Sequence, residues 1–180
     1  IASSWGNKGC FKTYGTSFID KLLSENFNVI IRPHPHSYIH EAEFINRIKK
    51  KFSANNNVIW DEKNSPSSSM NKSNILISDS SSIRFDFSFI YQKPVITLKI
   101  ESPKMIGFEN QFIESSWEEE SERILGPVID KSKIYNLNEI INETLLSFDP
   151  GKLKKFRKVS FYNFSNSGNL ISNFFSKKYE

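Results

Sequence analysis

"NILISDSSSIRFDFSFIYQKPVI", residues 74–96, runs from a short apolar stretch through Ser78, Asp79 and three more serines into a dense aromatic pattern, then reaches Lys93-Pro94 and a second β-branched run. Read by periodicity, this is a buried strand, a helix and a second buried strand. On either side of it, "NVIIR" (28–32), "NVIW" (57–60), "KPVITL" (93–98) and "GPVID" (126–130) read as further short strands. Residues 16–25, 40–52, 82–91 and 137–146 read as helices. Strand and helix alternate, which predicts an α/β fold: a Rossmann-like parallel sheet with helices on both faces. The strands are apolar throughout rather than alternating, as expected when both sheet faces are covered. Residues 63–73, rich in Ser, Asn and Pro, read as a loop with one helical turn, and residues 101–125, too long for an ordinary connection, as a functional or partly ordered excursion.

The 180 residues, 38% of them hydrophobic, suffice for one substantial core. The expected organisation is an α/β unit over residues 1–150 and a basic helical tail over 151–180 that packs on it or extends from it. No apolar run reaches about 18 residues, and the first ten residues lack the order of a secretory signal. The lone Cys10 cannot form an internal disulfide, which suits a reducing compartment, and the expected location is cytoplasmic. The chain opens without Met on "IASSWG", which reads like the end of a strand, and the expectation is therefore of a piece of something longer. From Pro150 onward seven Lys or Arg face Glu180 alone, a charge of +6, while the remainder carries −2. The basicity therefore belongs to the tail, which suits an anionic membrane surface, nucleic acid or another acidic surface, or simply a solvated helix face.

In an open parallel sheet, ligands bind beyond the carboxyl ends of the strands. Three such exits are polar: Arg32-Pro33-His34-Pro35-His36, Asp61-Glu62, and Ser78-Asp79-Ser80-Ser81-Ser82. Ser80 or Ser81 can cap the next helix, whose free N–H groups and positive dipole end make an anion site. The extra hydroxyls can then cradle phosphate without glycines, or the serines serve only as caps. The prolines around His34 hold the backbone extended, so that its imidazole is placed either for a diphosphate or leaving group or for a structural hydrogen bond. Other chemistries lack their spacing. His34, His36 and His40 are not joined by the second His of a zincin helix or by a Cys cluster, no G-x-S-x-G surrounds a serine, and neither phosphate-binding glycine motif occurs. No D-x-D is present to hold a metal-bound nucleotide, so no metal and no cofactor are expected.

Taken in order, "SSWG" (3–6), "RPHP" (32–35), "ILISDSSSIRFDF" (75–87), "KPVI" (93–96), "GPVI" (126–129) and "SNSGNLISNF" (165–174) resemble the nucleotide-binding half of the CDP-glycerol glycerophosphotransferase family. The resemblance implies the C-terminal domain of a GT-B glycosyltransferase and a part in teichoic-acid-like polymer synthesis at the bacterial cell envelope. It also implies an enzyme that moves glycerol phosphate from CDP-glycerol to a polymer or lipid-linked acceptor, releasing CMP. His34 would be catalytic, and Arg32, His34, Asp61, Asp79, Ser80, Ser81 and Ser82 would bind the donor. Within that set, the His34 loop and residues 79–82 would hold the pyrophosphate, and the loop after Trp60-Asp61 would lie near the base. The general base would come from a partner N-terminal GT-B domain outside these residues, so the chain alone is expected to bind donor rather than turn it over. Nucleic acid is not an expected partner. The last helix would present Leu170, Ile171, Phe174 and Phe175 to the first domain, and residues 152–158 would face an anionic inner leaflet, as in a peripheral membrane protein. Two other readings stay open: a GT-B transferase using another nucleotide-activated sugar for capsule or lipopolysaccharide, and a noncatalytic nucleotide-binding or scaffold domain.

Overall fold

The computed structural model describes residues 1–100 and 117–179. Beside two 3-10 helices, at Gly6–Lys8 and Lys131–Asn136, ten α-helices and five strands lie among them. In chain order they are α1 (Cys10–Tyr14), α2 (Ser17–Ser24), β1 (Val29–Ile31), α3 (Pro35–His40), α4 (Ala42–Phe52), β2 (Val58–Trp60), α5 (Ser67–Lys72), β3 (Leu76–Ser78), α6 (Ile83–Tyr91), β4 (Val95–Leu98), α7 (Trp117–Leu125), β5 (Val128–Ile129), α8 (Leu137–Ser147), α9 (Pro150–Ser160) and α10 (Ser167–Tyr179). The strands fall at the apolar runs expected from the sequence. The expected excursion lies mostly outside the described residues; its last part is α7.

All strand pairs are parallel: β1 with β2, β3 with β4, and β4 with β5. Ala2 joins the two groups by bridging Arg32 on one side and Ser78 on the other. Its amide donates to the Ile77 carbonyl at 3.1 Å, and the Arg32 amide donates to the Ile1 carbonyl at 2.9 Å. With the Ala2 segment counted first, the strands lie in the order 3-2-1-4-5-6 of a doubly wound Rossmann-like sheet, with the direction of winding reversing at Ala2. The α/β reading, with helices on both faces, is what the structure has.

Adjacent strand residues point to opposite faces, and the core divides accordingly. Ile77, Ile96 and Leu98 pack with Phe11, Phe18, Leu22, Ile48 and Ile141, from α1, α2, α4 and α8. Leu76 and Val95 pack on the other face with Met70, Phe87, Leu125, Leu153 and Phe156, from α5, α6, α7 and α9. Gly126 enters β5 with φ +148, and a Cβ there would lie 2.1 Å from the Val95 carbonyl oxygen, so a side chain would part β4 from β5. Two helices go beyond the sequence reading. Pro35 opens α3 at its first turn, where a missing N–H costs nothing, and Gly9 precedes α1.

Candidate active site

Asp79 is fully buried at the exit of β3, and its carboxylate accepts five donors from three segments. The Ser4 amide donates at 2.9 Å, the Ser4 hydroxyl at 2.6 Å, the Ser3 hydroxyl at 3.2 Å, the Cys10 amide at 2.7 Å and the Ser81 amide at 3.1 Å. One carboxylate thus holds the loop after the Ala2 strand, the start of α1 and the serine turn in fixed relation. Burial, followed by the Asp79 charge, pushes the neighbouring Cys10 thiol well above its usual range. On the other side of the turn, the buried Arg84 donates to the Ser81 carbonyl at 3.1 Å, to the Thr97 hydroxyl at 3.1 Å and to Glu122 at 2.5 Å.

The turn itself leaves its hydroxyls free. Ser82 is the N-cap of α6, one or two residues later than the expected Ser80 or Ser81, and its side chain makes no capping bond. None of the Ser80, Ser81 and Ser82 hydroxyls has a partner among the described residues, and neither do the amides of Ser82 and Ile83. Capping by side chain is therefore not what these serines do. A cleft of about 750 Å³ opens beside Ser80, lined by Thr97 near the end of β4, Lys99 and Asp130 just beyond β4 and β5, and Glu122 and Arg123 of α7. Another hollow, of about 570 Å³, lies at the opposite end of the sheet around residues 54–57, away from every strand exit.

At the exit of β1, His34 is the N-cap of α3, with extended backbone at φ −60 and ψ 141. Its Nδ1 accepts the His36 amide at 3.1 Å, so that nitrogen carries no proton and Nε2 is left as an N–H donor. Burial, and then the neighbouring His36, lower the imidazole below its ordinary value, while Asp79 acts against them. The exits of β1 and β3 flank the single Ala2 strand, about 10 Å apart at ordinary strand spacing. Arg32 and Asp61 are committed to each other. The guanidinium donates to the Asp61 carboxylate at 2.9 Å and to the Asn64 carbonyl at 3.2 Å. Burial alone would raise the Asp61 carboxyl, but hydrogen bonds from Ser69, the Lys63 amide and Arg32, with the Arg32 charge, hold it below the usual range. The seven expected residues thus form three groups: a paired Arg32–Asp61, a donor His34, and a serine turn fastened by Asp79.

Every one of them lies within residues 12–104, which match the model of the CDP-Glycerol:Poly(glycerophosphate) glycerophosphotransferase family. The chain belongs to that family. The match covers about half the chain. No curated protein and no solved structure matches it. Among the described residues no helix is long and apolar enough to cross a membrane, and no group of three His, Cys, Asp or Glu is placed to hold a metal ion.

The sequence reading singles out "SSWG" (3–6) as a motif without foreseeing that Ser3 and Ser4 bind Asp79 or that Trp5 meets the histidines, and it assigns no role to Arg84 or Glu41. Glu41 accepts the Gly6 amide at 3.2 Å and pairs with Lys12 at 3.3 Å. Burial would raise its carboxyl, but the Gly6 amide, Ser37 and Lys12 bring it below the usual range. Charge-bearing residues in a helix pattern read as solvated surface. Only the bridges of Ala2, which bring the N-terminal loop between β1 and β3, reveal these contacts.

Proposed function

We propose that this domain holds the pyrophosphate of CDP-glycerol between the serine turn and His34, and that in the intact enzyme it directs transfer of glycerol phosphate. The hydroxyls of Ser80, Ser81 and Ser82, at the start of the nine-residue α6 and beside two amides that, like them, have no partner among the described residues, are the observation that carries this reading. They are donors fixed in place before any ligand arrives, at the positive end of a helix dipole. Asp79 does not spoil the cradle, because its own charge is met from within by five donors. Arg32 supports the base-side loop through Asp61 rather than reaching for phosphate itself.

An acceptor hydroxyl oxygen attacks the β-phosphorus of the donor. The new O–P bond forms as the bond from that phosphorus to the bridging oxygen breaks, CMP leaves with the bond's electron pair, and the hydroxyl proton goes to a base on the acceptor side. Charge develops on the departing phosphate, and the α6 amides, the serine hydroxyls and His34 Nε2–H are the donors that would meet it there.

Calorimetric titration with CDP-glycerol, CMP, UDP and CMP-sugars tests the reading. CDP-glycerol is expected to bind most tightly, and Ser81→Ala to weaken it by about 1–3 kcal/mol, the loss of a hydrogen bond to a charged group. Because the Ser81 hydroxyl has no partner among the described residues, the same change should leave stability within about 0.5 kcal/mol. Uridine preference would move the assignment to a nucleotide-sugar transferase, and lack of binding by any nucleotide would overturn it.

A further inference from the structure

All three histidines of the chain and Trp5 meet where α3 and the loop after the Ala2 strand come together. The Trp5 ring lies 5.2 Å from His36, edge to face, and 5.7 Å from His40, and the two imidazoles are 5.8 Å apart. His34 continues the row at 5.1 Å from His36, linking it to the proposed donor site. Trp5 is 46% exposed, yet the loop that carries it is held firmly. Ser4 before it is bound to Asp79, the Gly6 amide after it to Glu41, and the Gly9 amide closes the turn on the Gly6 carbonyl at 3.0 Å. Gly6 supplies the positive φ of +73 that this path requires. Neither the His36 nor the His40 imidazole is hydrogen-bonded among the described residues. A large aromatic face held open to water by a rigid loop, with two free imidazoles beside it, is a platform for a ligand rather than part of the core.

The ring types define that ligand. An indole face packs against C–H groups of a polyol, and imidazole N–H groups donate to phosphate or hydroxyl oxygens. The Glu41 carboxylate beside this loop is already spent on the Gly6 amide and Lys12, and that of Asp79 on its five donors. We propose that Trp5, His36 and His40 form a ledge that takes the acceptor, a chain of polyol units joined by phosphodiesters, and leads its terminal hydroxyl toward His34. The ledge rests on the donor reading above for its direction, and binding to it is a separate event.

The test uses the 180-residue chain and a synthetic tetramer of glycerol phosphate, titrated calorimetrically beside CDP-glycerol. Wild type is expected to bind the tetramer. Trp5→Ala and the double variant His36→Gln/His40→Gln should each weaken it at least about tenfold, the worth of one hydrogen bond to a charged group. Both should keep CDP-glycerol affinity and thermal stability, since the altered side chains are exposed. Equal tetramer binding by the variants overturns the ledge, as does parallel loss of tetramer and CDP-glycerol, or a wild type that binds CDP-glycerol alone. Ledge-dependent tetramer binding without CDP-glycerol binding upholds the ledge and removes the donor reading instead.

Discussion

Asp79 and His34 show how two side chains of the expected site divide the work. Asp79 faces inward, and replacing it with Asn leaves one acceptor oxygen and an NH2 group among donors that all point at it. Asp79→Asn should lower stability by about 3 kcal/mol in urea unfolding and weaken nucleotide binding with it; retention of both would show that the loops are held by other means. His34 caps α3 through Nδ1, and its surroundings favour the neutral ring. Its imidazole is held below the ordinary 6.5, so as pH falls the unfolded chain takes up this proton first. Its contribution to stability is therefore complete above pH 6.5 and is lost as pH drops through the lowered value. Titration followed by NMR should find His34 below 6.5 with its proton on Nε2. A value at or above 6.5, or a proton on Nδ1, would contradict the capping geometry. His34→Asn, which can cap α3 in the same way, should flatten that part of the pH dependence while weakening the donor contact.

The turns between elements set the crevice, and they are also where sequence patterns are least informative. Buried strands such as "NILIS" and "KPVITL" announce themselves because continuous β-branched runs are needed when both faces are covered. Helix α6 was equally plain, since Phe87 and Phe89 must be buried whichever way it turns. Helix α3 was hidden by its prolines, which suggest extended chain although Pro35 suits a first helical turn. The His34 and serine exits were readable as candidates. That their carboxylate would be occupied from the first loop was not, because five short contacts between residues up to 76 positions apart leave no local pattern. Gly9 provides a test of that first loop. A Cβ there would lie 2.4 Å from the Ser4 carbonyl oxygen and 3.0 Å from the Ser3 hydroxyl, both part of the Asp79 clasp. Gly9→Ala should therefore cost about 2 kcal/mol of stability and reduce CDP-glycerol affinity, measured by urea unfolding and calorimetry. Unchanged affinity would mean that the loop can move without disturbing the serine turn.

Across the domain, stability and exposure are distributed unevenly along the basic tail, and the two halves of that tail predict opposite outcomes on truncation. Helix α9 begins with Asp149, whose carboxylate accepts the Gly151 amide at 2.8 Å, and buries Leu153 and Phe156 against α6 and α7. Arg157 donates to the Phe89 carbonyl at 2.5 Å and covers the Phe164 ring at 4.2 Å, so one of the tail's positive charges faces the domain. Lys152, Lys154, Lys155 and Lys158 remain on its exposed side. Helix α10, by contrast, buries none of its described residues and leaves Leu170, Ile171, Phe174 and Phe175 open. Ending the chain after Asp149 removes two side chains that are 1% and 8% exposed, a loss of about 3–6 kcal/mol by transfer energies alone. Ending it after Ser160 removes no fully buried side chain, although Phe161 and Phe164 also give up contacts with Phe89, Trp117 and Arg157. The shorter cut should therefore cost no more than about 1.5 kcal/mol, leave CDP-glycerol binding intact and raise solubility by deleting an apolar face. Thermal unfolding of the two truncated chains decides the matter: equal destabilisation would show that α10 supports the core, against the packing described here.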